Sequence, residues 1–383
     1  MRPGGPRARR PQAYVVFLLG VLLLGGCVRR WFFEQLPTPL FSEAILPSGI
    51  WTRSAEGCGT CHDTIYAEWA ESRMGRAFTN RAFQADWKHN QELYACLYCH
   101  TPLVEQLPQR VTGLTDINPV TPEAVANPSF DAALQQEGVT CLVCHLDHEA
   151  PAPALVGPVP DVLAPHPVRV DPAFSDESLC ETCHQIPPPS VSDLSRPISD
   201  TVAEWREWQS VTGRTEGCVD CHMPKVERPL VRGGPVRSGR AHTWGGAWDT
   251  ATLMQGFRVE VTPDAKVFLH NLSGHRLPTG DPARALVVEL RAVPASTTSP
   301  GATALREQSF WIWREVRLPR MVDLGDTTLL PGERRLLPFA TRGAEELSVT
   351  VYFDRLAGLP HAAAVTEEPA RVLLYSETFP LAP

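Results

Sequence analysis

The arrangement of cysteines constrains this chain more than any other feature of its sequence. Eleven cysteines occur in 383 residues, and ten of them form five copies of the pattern Cys-x-x-Cys-His. The copies are CGTCH at 58–62, CLYCH at 96–100, CLVCH at 141–145, CETCH at 180–184 and CVDCH at 218–222. The eleventh, Cys27, lies near the N-terminus, so no cysteine in the rest of the chain is left over.

Paired cysteines at this spacing are also found in zinc ribbons and in redox or structural disulfides. Neither of those requires a histidine directly after the second cysteine. Histidine occupies only 12 of 383 positions, so its presence after all five pairs is not chance. The pattern is that of c-type haem attachment, in which two thiols bond one porphyrin and the histidine binds its iron.

The sequence therefore predicts five covalent haem c groups, each with an assigned set of residues. The predicted attachment cysteines are Cys58, Cys61, Cys96, Cys99, Cys141, Cys144, Cys180, Cys183, Cys218 and Cys221. The predicted proximal iron ligands are His62, His100, His145, His184 and His222. So little chain lies between successive motifs that separate apolar cores are excluded, and we expect the porphyrins themselves to fill the interior.

Each iron has a second axial position, and histidines outside the motifs are the main candidates for it. There are seven: His89, His148, His166, His242, His270, His275 and His361. We expect distal ligands among His89, His148 and His166, which lie in the haem-dense segment, and from His242 and His275, which lie after it. The remaining two are expected to be structural, one on a strand and one in an alanine-rich loop.

Met74 is a sixth candidate for a distal position. A helix predicted over Asp63–Phe78 would place Tyr66, Ala70 and Met74 on one face. Methionine at that place either binds an iron, which would raise its potential, or packs in the core; the sequence leaves both open.

The C-terminal part of the chain contains no cysteine and has a different pattern. Short apolar and β-branched runs there predict seven strands: 257–261, 266–272, 283–293, 309–318, 334–340, 347–353 and 372–378. With 37 prolines and 27 glycines, much of the rest should be loop. The fold class is therefore mixed, with a mostly helical and irregular multihaem domain at 57–250 and an all-β, immunoglobulin-like sandwich at 251–383.

The N-terminus has the features of an export signal. Arginines precede an apolar run over 13–26, which is shorter than the roughly 20 residues needed to cross a bilayer. Residues 24–27, Leu-Gly-Gly-Cys, resemble a bacterial lipobox; an uncleaved anchor and simple cleavage remain alternatives. We expect a signal peptide or lipoprotein anchor at 1–27, a linker at 28–56, and a membrane-attached protein on the periplasmic or cell-envelope side.

Three segments resemble the cytochrome c-554 family, whose relatives include hydroxylamine oxidoreductases and octahaem reductases. They are CGTCHDTIYAEWAESRMGRAF at 58–78, GVTCLVCHLDH at 138–148 and TEGCVDCHMP at 215–224. Tyr66, Trp69 and Ser72 match the family pattern, whereas Met74 stands where that family usually has histidine. RSGRAHTWGG at 237–246 and HNLSGHRLPTG at 270–280 resemble stretches of multihaem cytochromes that carry a β-domain.

These features favour an electron carrier with mostly six-coordinate haems. The net charge of -8 argues against a nucleic-acid partner and favours redox partner proteins, such as other cytochromes or a membrane quinol-oxidising complex. The alternative is an oxidoreductase acting on a small nitrogen or sulfur compound at one open haem, although no Cys-x-x-Cys-Lys motif is present. A third interpretation, compatible with the first, is that the β-sandwich docks the chain into a larger complex.

Overall fold

A computed structural model of the chain describes residues 41, 45–114, 122–148, 153–158, 164–186, 194–294, 306–317, 322–366 and 368–381. The predicted signal or anchor at 1–27 and most of the predicted linker lie outside these residues. Within the described part of the chain, no helix has both the length and the apolar character needed to cross a membrane.

Short helices separated by loops make up most of the N-terminal half. The α-helices are Ala55–Gly59, Asp63–Glu71, Arg81–His89, Leu97–His100, Ala132–Gln135, Cys141–His145, Ser178–His184, Thr201–Thr212 and Cys218–His222, with 3₁₀ turns at Tyr94–Cys96, Val104–Gln106 and Pro172–Phe174. Four of the five motifs end at the last residue of a short helix, and in the first motif Cys58 lies in one. One helical turn brings the two thiols of a motif to the same side.

The helix after the first motif is shorter than the sequence predicts. It ends at Glu71 rather than Phe78. The Ser72 hydroxyl donates to the Trp69 carbonyl at 2.7 Å and accepts from the Gly75 amide at 3.2 Å. A serine side chain that bonds to nearby backbone in this way competes with the helical hydrogen bonds. Met74 therefore lies in a turn, and the predicted common face with Tyr66 and Ala70 is wrong.

Among the described residues of this half, four small two-stranded ladders join the loops. Three are antiparallel and one is parallel, and they pair Gln109–Leu114 with Pro122–Ala126, Leu155–Gly157 with Val168–Val170, Gln185–Ile186 with Ser199–Asp200, and Lys225–Pro229 with Val236–Arg240. The mixed, mostly helical and irregular character predicted for this region agrees with these elements.

Two antiparallel sheets form the C-terminal half. The three-stranded sheet has the order Arg334–Leu337, Val267–Asn271, Phe257–Val261, and the five-stranded sheet has the order Val322–Asp326, Arg306–Arg317, Ala285–Val293, Glu346–Asp354, Arg371–Pro380. A strand occurs in each of the seven predicted segments. The strand Val322–Asp326 was not predicted from the sequence.

The two sheets share one hydrophobic core. Leu269 from the three-stranded sheet and Leu286, Val349 and Phe353 from the five-stranded sheet belong to the same buried cluster. Along Glu346–Asp354, alternate residues are buried, as expected for a strand with one face on a core. Burial of each side chain of this kind stabilises the fold by about 1.5–3 kcal/mol relative to leaving it exposed.

The junction between the halves contains a short helix, Thr250–Gln255. Asp249 caps it by accepting from the Ala251 amide, and Leu253 packs into the core between the sheets. The predicted domain boundary, between residues 250 and 251, falls at the start of this helix. A second short helix, Pro360–Ala363, leaves the sandwich and packs against Arg81–His89 of the other half.

Candidate functional site

All five motifs line one continuous cavity of about 4930 Å³. A site for one drug-sized molecule has a volume of about 300–1,000 Å³, so this cavity is about five times larger than the upper end of that range. Its lining includes all ten motif cysteines and all five motif histidines. The size of the cavity and the donors along its wall fit several porphyrins and do not fit five separate zinc or disulfide sites.

Four of the five motif histidines are oriented by the same kind of hydrogen bond. The Nδ1 atom of His62 lies 2.9 Å from the Leu230 carbonyl oxygen, and that of His100 lies 2.7 Å from the Ala77 carbonyl oxygen. The Nδ1 atom of His145 lies 2.9 Å from the Val156 carbonyl oxygen, and that of His222 lies 2.5 Å from the Gly245 carbonyl oxygen. A carbonyl only accepts, so Nδ1 carries the proton in each case. Nε2 is then left with a lone pair, which is the form of imidazole that binds a metal.

The fifth motif histidine, His184, differs from the other four. Within the described residues its ring makes no such bond to a carbonyl oxygen, although the ring lines the same cavity. Burial lowers the pKa of His184 to about 4, with smaller effects of His222 and Arg284. The imidazole is therefore neutral at physiological pH, as a metal ligand must be.

Two motif histidines have a second imidazole opposite them at a spacing typical of shared metal coordination. The ring centres of His145 and His242 are 6.3 Å apart, and those of His222 and His275 are 6.4 Å apart. Two imidazoles bound through nitrogens about 2 Å from one metal ion have ring centres about 6 Å apart. Direct ring packing would bring the centres closer, as it does for His89 and His361, at 4.0 Å.

The non-motif histidine of each pair is also oriented by a hydrogen bond from its Nδ1 atom to a backbone carbonyl oxygen. Nδ1 of His242 lies 3.0 Å from the Arg240 carbonyl oxygen, and Nδ1 of His275 lies 2.9 Å from that of Arg276. Burial lowers the pKa of both imidazoles to about 4. Both rings line the cavity with Nε2 unprotonated, and their role as distal ligands stays a prediction.

Thiols of different motifs lie next to each other. A side-chain hydrogen bond with Cys141 is the main cause of the lowered pKa of Cys58, and one with Cys183 lowers the pKa of Cys99. A third such bond, with Cys180, lowers the pKa of Cys218. The first motif is thus adjacent to the third, the second to the fourth and the fourth to the fifth.

Three further predicted ligands, Met74, His89 and His166, lie on the cavity wall. His89 stacks on His361, whose Nε2 lies 3.1 Å from an Asp86 carboxylate oxygen. His361, expected from the sequence to be structural, is therefore also a cavity residue. Ligation of an iron by Met74, His89 or His166 stays a prediction.

His166 is held in place by a close approach of two loops. Gly49 has φ +83°, and a Cβ built there would lie 2.3 Å from the Pro165 carbonyl oxygen. Only glycine combines that left-handed conformation with so close a contact. The segment at 45–50 therefore packs directly against the loop that carries His166.

His148 is the predicted ligand that the structure does not bring to the cavity. Its Nε2 lies 3.0 Å from the Leu142 carbonyl oxygen, and its ring lies 4.5 Å from that of Phe41. This backbone contact engages the Nε2 atom of His148. His148 is thus placed to hold the third motif's helix.

The loop that carries His275 comes from the β-domain and is hydrogen-bonded to the helix Thr201–Thr212. Glu204 of that helix, only 2% exposed, accepts from the Arg276 amide at 3.2 Å and from the Thr279 hydroxyl. Its other oxygen accepts from Arg196 at 2.8 Å. No sequence pattern indicates this role, because Glu204 lies in a helix with no motif around it.

Comparison with solved structures shows the fold that this cavity belongs to. The chain is similar to a penta-heme cytochrome c552 from Thermochromatium tepidum, with a TM-score of 0.59 and 20% sequence identity. The similarity covers 86% of this chain and 98% of that one. No protein-family model and no curated protein sequence matches this chain. The chain therefore has the fold of a multihaem cytochrome c, which leaves its closer assignment to the c-554 family a prediction.

Proposed function

We propose that this chain binds five haem c groups covalently and transfers electrons through them outside the cytoplasm. The observation that carries the proposal is that all five Cys-x-x-Cys-His motifs open into one cavity large enough for several porphyrins. Each bound haem supplies a one-electron Fe(III)/Fe(II) couple. The protein fixes, orients and shields these groups.

The five motif histidines provide the proximal ligands and the ten motif cysteines provide the thioether bonds. We propose His242 as the distal ligand opposite His145, and His275 as the distal ligand opposite His222. The ring spacings of 6.3 and 6.4 Å support both assignments. Met74, His89 and His166 remain candidates for the other positions because each lies on the cavity wall.

Contacts between motif thiols support a connected array. Cys58 and Cys141, Cys99 and Cys183, and Cys180 and Cys218 are close enough for each pair to affect a thiol pKa, so neighbouring attachment sites lie close together. Cofactors anchored so close together exchange electrons without a mobile carrier. Fixed axial ligands on both sides of an iron keep substrates away from it, which suits a carrier better than a catalyst.

Exchange with partner proteins requires that some cofactors lie near the surface. Cys61 and Cys221 are exposed, whereas the other motif thiols are partly buried. We propose that redox partners, such as other cytochromes or a membrane quinol-oxidising complex, meet the chain near the first or the fifth motif. The export-like N-terminus supports a location on the periplasmic or cell-envelope side, with attachment to the membrane.

We also propose that the C-terminal half is an immunoglobulin-like sandwich. Its first, second and sixth strands form one sheet, and the third, fourth, fifth, seventh and eighth form the other. This division is that of sandwiches whose sheets exchange strands through Greek-key connections. This half also supplies His275 to the cavity wall.

A low-temperature electron spin resonance spectrum of the oxidised protein tests the proposal. A carrier with its distal positions filled gives low-spin signals for all five haems. A high-spin signal that changes when nitrite or hydroxylamine is added would instead favour the alternative, an oxidoreductase acting on a small nitrogen or sulfur compound at one open haem. A redox titration of the same sample would show whether five electrons are accepted.

A further inference from the structure

Arg284 brings a positive charge into the cavity without a matching negative partner. It follows the loop that carries His275 and lines the same cavity. Its Nη1 donates to the Thr279 carbonyl oxygen at 3.0 Å. Among the described residues, no carboxylate forms an ion pair with its guanidinium, so most of its five N–H donors have no protein acceptor.

Two neighbouring arginines at this junction are each paired with a carboxylate. Arg196 bonds to Glu204 at 2.8 Å, and Arg314, only 3% exposed, bonds to Asp323 at 2.7 Å. With Arg284, these two arginines line a second, much smaller pocket. Of the three, Arg284 lines the large cavity, and among the described residues it forms no ion pair with a carboxylate.

The surroundings of Arg284 indicate a desolvated charge. Burial lowers its pKa, and the carboxylate of Asp281 opposes that effect only from a distance. The charge of Arg284 also contributes, after burial, to the lowered pKa of both His184 and His275. Arg284 therefore lies within electrostatic range of the fourth motif and of the distal side of the fifth.

We propose that Arg284 binds a carboxylate of the haem attached at the fourth or the fifth motif. This inference rests on the proposed function, since the carboxylates come with the bound haem. A buried cation is stable only when an anion and hydrogen bonds compensate its desolvation. A guanidinium presents a planar fork of donors that matches a carboxylate, whereas the described residues offer Arg284 only a carbonyl oxygen.

Such a contact has a consequence for the potential of the iron. A positive charge fixed near an iron favours the reduced form, which carries one positive charge fewer. Replacing Arg284 with a neutral residue should therefore lower the midpoint potential of the nearby haem. The effect should exceed that of an exposed arginine, whose field is screened by water and salt.

The test compares Arg284→Gln and Arg284→Lys with Arg258→Gln in the full-length, haem-loaded protein. Arg258 lies on the β-domain strand Phe257–Val261, is exposed and is not part of the cavity wall, so it is a matched loss of charge. Mass spectrometry first counts the covalent haems in each variant. A redox titration followed by absorbance then gives the midpoint potentials.

We expect Arg284→Gln to keep five haems and to make reduction of one haem about tenfold less favourable, a shift of about 59 mV for one electron. Arg284→Lys, which keeps the charge and loses the fork, should shift the same haem less. Arg258→Gln should leave all potentials unchanged. If Arg284→Gln loads fewer than five haems, the Lys variant decides the outcome: a smaller downward shift of one potential supports the assignment, and unchanged potentials overturn it.

Two results would overturn the assignment. One is a set of potentials in both Arg284 variants equal to those of the parent protein. The other is a potential of the parent that changes with added inorganic phosphate while that of Arg284→Gln does not, because Arg284 would then bind a free anion. Fewer than five haems in the parent itself would instead count against the proposed function.

Discussion

Removal of the His275 side chain should open one iron of the five. The ring of His275 lies 6.4 Å from that of His222, which leaves room for one metal ion and its two nitrogen bonds. Alanine has no side-chain nitrogen, and the described residues place no other imidazole at that distance from His222. We therefore expect His275→Ala to convert one haem in five from low spin to high spin.

His270→Ala is the matched control. His270 lies five residues earlier on the strand Val267–Asn271, with its Nε2 2.6 Å from a Glu260 carboxylate oxygen, and it is not part of the cavity wall. Its loss should leave all haems low spin. Mass spectrometry should count the same number of covalent haems in both variants, because the thioether bonds are intact.

Spin resonance at low temperature measures the outcome directly. In His275→Ala the low-spin intensity should fall by about one fifth, and added imidazole should restore it by occupying the open position. An unchanged low-spin spectrum would show that His275 is not an axial ligand. Equal changes in both variants would show that the spectrum reports a general disturbance of the β-domain.

Two other predictions follow from single contacts. His242→Ala should open the iron at His145 in the same spectroscopic assay, whereas His148→Ala should leave every haem low spin, because His148 lies off the cavity. Asp323→Asn should lower the free energy of unfolding by about 3 kcal/mol, since it leaves Arg314 buried without its carboxylate. Burial favours a higher pKa for Asp323, but hydrogen bonds from Arg314 and Ser195 lower that pKa to about 2. The stabilisation by this ion pair should therefore be present above about pH 4 and disappear as the pH falls through 2, which thermal melts would measure.

Sequence reasoning identified the elements whose signals are local. The haem motifs and seven of the eight strands in the C-terminal half depend on residues that lie next to each other in the chain. The predicted helix to Phe78 was wrong because the Ser72 side chain bonds to nearby backbone and ends the helix at Glu71. A period of three to four residues does not reveal that competition.

The parts that the sequence did not reveal depend on long-range packing. The pairing of His222 with His275 joins the two halves of the chain, and no local spacing contains it. Glu204 and Arg284 have no motif around them; one holds the loop of His275 and the other points a charge at the cavity. No local sequence pattern marks either residue.

The number of covalently bound haems is the central claim. The mass of the intact protein, produced in a host competent for cytochrome maturation and stripped of non-covalent ligands, measures that number directly. We predict the mass of the mature polypeptide plus five haems. The mass of the bare polypeptide, or of a chain with its motif cysteines joined as disulfides, would contradict the account.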